Sequence, residues 1–188
     1  CDTCHESDAF DYIEKFCIHS SEIDPGIMAR NIMKHPSIKM HGPEHHFLVP
    51  AVLLTSWYNF KNETDHLKEK LAVAKKRSKQ ILGGFCGFYG SCGAGIGTGI
   101  FMSIMQNATP LSTEEWKLAN LLTGKSLELI ANQGGPRCCK RDSFTAVETA
   151  AEFLKLNLDT DLPVSIIRCE FSEMNKECKE HDCQYYIK

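Results

Sequence analysis

No strong excess of charge marks this sequence. Its 21 Lys and Arg nearly cancel 24 Asp and Glu, and the net charge is −3. A field that weak does not gather nucleic acid or an anionic membrane. No repeat of solenoid length recurs, and no segment is of low complexity. The H-E-x-x-H pair of zinc proteases is missing. So are the lysine of a phosphate-binding P-loop, the glycine fingerprint of a dinucleotide fold and the C-x3-C-x2-C triad of radical-SAM enzymes. No basic stretch leads into an apolar one, as in a secretory leader. The start at Cys1 reads as a fragment of something longer.

Charge is also absent from Gln80 to Thr113. The apolar part of that run is long enough to span a bilayer. Gln106, Asn107 and Pro110 interrupt it, and its first half is mostly Gly, Ser and Cys. The run therefore reads as a buried central helix, with Gly93–Gly97 and Gly95–Gly99 at the spacing of close helix packing.

Helical periodicity is what the sequence has in quantity. Apolar residues recur at 3.6 spacing from residue 6 to 157, in about seven segments. Asp24 before Pro25 is a helix start, Ser112 with Glu115 a capping box, and Gly134 a helix stop. Only "VSIIRCEF" (164–171) reads as a strand. The expected fold is mainly α, a multi-helix single domain with at most one or two short strands. Residues 6–162 form the helical domain. Residues 1–5 read as the remnant of a Cys-rich, zinc-ribbon-like segment, and residues 163–188 as a Cys-rich tail packed on the domain. Lys61, Lys68, Lys70, Lys75, Lys76, Arg77 and Lys79 make a basic stripe, either a solvated face or a dock for an acidic partner.

Ten cysteines are present. A chain of this size can bury a core without disulfide staples. The vicinal pair Cys138–Cys139 and the Gly-rich settings favour thiols or metal thiolates in a reducing compartment. "CDTCH" offers Cys1 and Cys4 as half a zinc knuckle, or as a haem-attachment pattern. "MHGPEHHF" groups His41, Glu44, His45 and His46 at a helix start, as metal ligands, proton carriers or simple caps. "GGFCGFYGSCGAGIGTGIF" (83–101) holds eight glycines around Cys86 and Cys92. "GGPRCCKRD" sets Cys138 and Cys139 beside Arg137, Lys140 and Arg141, where cations and a helix N-terminus lower a thiol pKa. The tail adds Cys169, Cys178 and Cys183, with His181 nearby, for zinc or an iron–sulfur cluster.

Two functions follow. One is an enzyme. Cys138, Cys139, His41, Glu44 and His45 do chemistry, and Arg137, Lys140, Arg141 and His46 hold a small anionic substrate. Metal sits on cysteines among Cys86, Cys92, Cys138, Cys139, Cys169, Cys178, Cys183, Cys1 and Cys4. The other is an accessory module with closed structural metal sites. Convergence of residues 41–46, 86–92 and 137–141 on one site would favour the enzyme.

The HGPEHH, GGFCGF and GGPRCCKRDS stretches resemble an uncharacterised domain family of anaerobic archaea and bacteria, over the whole chain. The resemblance implies a reducing cytoplasm and a role in anaerobic metabolism near iron–sulfur or one-carbon chemistry. It also implies a radical-SAM or methyltransferase partner; the weak charge and the interrupted apolar run argue for no nucleic acid and no membrane. It carries over no catalytic residue.

Overall fold

The structure, a computed structural model, describes residues 2–187, with side chains from residue 9 onward. Eight α-helices follow one another among these residues: α1 Asp2–His19, α2 Pro25–Met33, α3 Glu44–Lys61, α4 Leu67–Ser78, α5 Phe85–Phe88, α6 Gly93–Met105, α7 Glu114–Asn132 and α8 Cys139–Leu158. The chain is a compact all-α domain. Cys1 and the side chain of Cys4 lie outside the described residues, and with them the N-terminal zinc-knuckle reading.

Helix α3 is the axis. It is apolar on every side because α1, α2, α4, α6 and α8 all pack on it, and Phe47, Leu48, Val49, Leu53 and Leu54 are wholly buried. Pro50 sits inside it. Proline has no amide hydrogen, so the His46 carbonyl loses its helical partner. Ser78 Oγ donates to that carbonyl at 3.1 Å from α4.

The glycine row of α6 serves two neighbours. A Cβ on Gly93 would overlap the His46 ring, and one on Gly97 would stand 3.0 Å from Pro50 Cδ and 3.1 Å from Val49 Cβ, all on α3. A Cβ on Gly95 would stand 2.7 Å from Leu127 Cδ2, and one on Gly99 would overlap Thr123 Oγ1, both on α7. Two small-residue stripes thus pack one helix between two others. No helix among the described residues is long and apolar enough to cross a membrane.

Asp24 is the N-cap of α2, as its place before Pro25 predicts. Its Oδ1 accepts the Gly26 amide at 2.8 Å and the Ile27 amide at 3.0 Å. Its Oδ2 accepts the Ser165 amide at 2.6 Å, so one buried carboxylate caps a helix and moors the tail. Asp24→Ala should therefore lower unfolding free energy by about 2 kcal/mol, from a lost cap and a lost buried hydrogen bond. Urea titration checks this; a loss below about half a kcal/mol would mean that solvent replaces both roles.

Two local expectations fail. Residues 164–171 make no strand: the tail forms a single bridge, Cys169 to Tyr186. Val164 and Ile167 pack on the core, and a Cβ on Gly26 would stand 2.9 Å from Ile167 Cδ1. Ser112 does not cap α7. Thr113 is the N-cap, without a side-chain bond, and Ser112 Oγ accepts the Thr109 amide at 2.9 Å instead. Gly134 does end α7, at φ +68°. The basic stripe is partly consumed within the fold. Lys75 pairs with Asp11 at 2.6 Å and Glu14 at 2.7 Å, Lys70 reaches Asn107 at 2.7 Å, and Arg77 reaches Ser103 at 3.0 Å.

Candidate functional site

The cysteines gather on both sides of the α8 N-terminus. Cys138 is its N-cap and Cys139 its first residue; Cys138 lines one of the two spaces here and Cys139 neither. Each of the eight cysteines with described side chains is unpaired.

One side is a small, enclosed void of about 20 Å³, lined by Cys138, Cys169, Cys178 and Cys183 together with Asn175 and Arg141. Backbone amides turn toward the sulfurs. Phe171 N–H points at Cys169 Sγ at 3.4 Å, and Glu180 N–H at Cys178 Sγ at 3.4 Å. Asn175 Nδ2 donates to Cys138 Sγ at 3.7 Å, and its Oδ1 lies 3.2 Å from His41 Nε2. His41 thus reaches Cys138 only through Asn175. The tail is held closed by Cys169 N–H to the Tyr185 carbonyl at 2.7 Å and by Lys179 Nζ to the Gln133 carbonyl at 2.7 Å. His181 stacks edge-on against Tyr186.

The other side is an open cavity of about 490 Å³. Its walls are the α5 loop with Cys86, Cys92 before α6, Leu127 and Ile130 of α7, and Arg137, Arg141 and Asp142. Arg141 is the partition, since it lines both spaces. Its Nε donates to Asp142 Oδ1 at 3.1 Å, and its Nη2 to the carbonyls of Gly134 at 3.0 Å and Pro136 at 3.1 Å. Asp142 Oδ2 accepts from the Cys92 thiol at 3.8 Å. Burial raises the Asp142 carboxyl pKa, against the pull of Arg141.

Burial dominates the thiols as well. It pushes Cys92 up to about 12 although the Ala94 and Gly95 amides draw it down. It pushes Cys138 and Cys139 up to about 11. At neutral pH these are thiols, not thiolates, and the activation that the adjacent cations suggest does not outweigh desolvation. Lys140 is buried at 1% exposure. Its Nζ stands 3.5 Å from the Met33 and Ile38 carbonyls and 5.0 Å from the Phe171 ring. It lines neither cysteine-bearing space, and burial brings its pKa down to about 8.

The histidine cluster splits three ways. Glu44 is buried, and its Oε1 accepts the Lys39 amide at 2.9 Å. His45 Nδ1 donates to the Gly42 carbonyl at 3.1 Å, and its Nε2 is buried without a partner. Burial holds His45 neutral, well below the usual imidazole range. His46 Nδ1 donates to the Ile81 carbonyl at 3.1 Å. None of these three lines either cysteine-bearing space.

A model of a family of unknown function, DUF5714, matches residues 13–186. The chain belongs to that family. No curated protein and no solved structure matches it.

In this DUF5714 chain no three His, Cys, Asp or Glu side chains among the described residues stand ready to close on a metal ion. The four thiols around the small void share it without meeting at ligand distance. Asn175 and Asp142 carry the polar contacts to the sulfurs, and the sequence reading missed both. Asp142 had a signal, an acid in the first turn of a helix that begins with cysteines. Asn175 had none, because its partners lie 134 and 37 residues away.

Proposed function

We propose that this family member is a metal-binding module in which Cys138, Cys169, Cys178 and Cys183 take one metal ion and fasten the tail to the helical body. The observation that carries the reading is the shared lining: four cysteines from two distant segments border one enclosed void of about 20 Å³. Sulfur-directed amides at Cys169 and Cys178, and the Asn175 amide at Cys138, are the groups that stabilise bound thiolates and orient ligands. A metal also removes the cost of burying raised-pKa thiols, because binding expels their protons.

Void size favours zinc over an iron–sulfur cluster. Space for about one atom suits a single tetrahedral ion, and thiolate ligands suit zinc. Closure needs the thiols to draw inward from where they stand. A site saturated by four cysteines has no open position, so the reading favours the accessory module over the thiolate enzyme. It also requires a reducing compartment such as the cytoplasm. A radical-SAM or methyltransferase partner remains the class that the motif resemblance suggests, and Lys61, Lys68, Lys76 and Lys79 are exposed cations of the stripe that could meet it.

The test is metal analysis after purification in anaerobic, reducing buffer. One zinc per chain is expected. Cys178→Ser and Cys183→Ser should each lose most of it while keeping the helical circular-dichroism spectrum. Cobalt loaded in place of zinc should give the intense charge-transfer bands of a tetrathiolate site. Reduced thiols with no retained metal would overturn the proposal, and iron with inorganic sulfide would replace zinc by a cluster.

A further inference from the structure

The open cavity on the other side of Arg141 has no part in that metal site. We infer that it binds a small organic anion with an apolar body, the acidic group on Arg137 and the body against Leu127, Ile130 and Phe88.

Size and lining come first. About 490 Å³ is within the range of ligand sites, and an apolar wall with a few convergent polar groups is their usual make-up. Leu127 and Ile130 give the wall, and Phe88 stands beside it at 86% exposure. A phenyl ring so exposed at the rim of an apolar hollow is uncommon unless something covers it.

The charges select the sign. Arg137 is exposed on the lining, and no carboxylate pairs with it among the described residues. Arg141 gives Nε to Asp142 and Nη2 to two carbonyls, and its charge is matched by the Asp142 carboxylate. The free charge presented to a ligand is therefore one guanidinium. Guanidinium forks recognise carboxylates, sulfonates and phosphates.

Glycine supplies an independent observation. Gly84 and Gly90 need to be glycine, with φ of +86° and +66°. Gly87 does not: its φ is ordinary, and a Cβ there would meet nothing within 4 Å. It lines the cavity all the same. The fold gives no reason for the missing side chain at Gly87; a ligand in the hollow does.

Anilinonaphthalene sulfonate, an aromatic body with one anionic group, is the probe. Its fluorescence should rise on titration into the metal-loaded chain, and it should slow alkylation of Cys86 by iodoacetamide, followed by mass spectrometry of the Cys86 peptide. Arg137→Gln should weaken the probe about tenfold, the loss of one charge-assisted contact. Gly87→Leu should remove binding by filling the hollow. Both variants should keep wild-type helicity and metal content, which separates failure here from failure of the zinc reading. Probe binding that is indifferent to both substitutions, or that leaves Cys86 alkylation unslowed, overturns the inference, as does no binding at all.

Discussion

With a chelator present, the chain is expected to unfold as pH is raised from about 9 to about 11. The thiols set the direction. Cys17 and Cys92 are pushed from 9.0 to about 12 by burial, and Cys138 and Cys139 from 9.0 to about 11. A raised thiol pKa means that the folded chain holds protons that the unfolded chain has released. The stability so gained is whole below pH 9 and is lost as pH climbs toward the folded values. Each unit of displacement is worth about 1.4 kcal/mol. By about pH 11 four buried thiols together approach the whole stability of an ordinary domain, about 5–15 kcal/mol. Lys140 works the other way. Its pKa falls from 10.5 to about 8, so its burial becomes easier as pH rises through that window. One lysine does not offset four thiols. Zinc-loaded chain should withstand a higher pH, because Cys138 then has no proton to lose. Full ellipticity at pH 11 without metal would show that the thiols are far better solvated than their burial implies.

Gly97→Val should cost about 3 kcal/mol or more, the largest effect expected of any exchange in the α6 glycine row that tests packing alone. Gly97 is a stripe residue whose close neighbours cannot yield. Its added carbon would meet Val49 Cβ at 3.1 Å, Pro50 Cδ at 3.0 Å and the His46 carbonyl at 3.3 Å. Two of these are locked to the α3 backbone, and the carbonyl is already held by Ser78. Valine adds two methyls to a space already too tight for one, so α6 must move away from α3. A guanidinium-chloride melt reads the loss directly. Gly124→Ala is the control: a Cβ there meets nothing, and its helix should gain slightly. A mild effect at Gly97 would mean that the crossing is looser than these distances require.

Helix content was legible because periodicity is a local property. Leu67, Leu71 and Ala74 repeat on one face, and the same three are buried in α4. Asp24 announced its helix by type and position. Ser112 had the right spacing for a capping box, but the Thr109 amide took its hydroxyl first. "VSIIRCEF" had strand composition and no strand to pair with, which no window of eight residues can reveal. The cysteine clusters were visible as clusters. Their division was not, because it depends on which segments fold onto each side of Arg141. The glycine stretch hid two roles under one composition: Gly93 to Gly99 pack helices, whereas Gly84, Gly87 and Gly90 border the open cavity. The thiol pKa direction was misread for the same reason. Neighbouring cations are visible in a sequence, and burial of the sulfur is not.

Arg141 is a common wall of two chambers. Its Nη2 props the Gly134–Pro136 turn, and its Nε props the carboxylate that accepts the Cys92 hydrogen bond. A shift of that guanidinium toward one chamber is a retreat from the other, so occupancy on either side acts on one side chain. If metal and anion bind as proposed, reciprocity ties the two affinities: whatever factor metal imposes on the anion, the anion imposes on the metal.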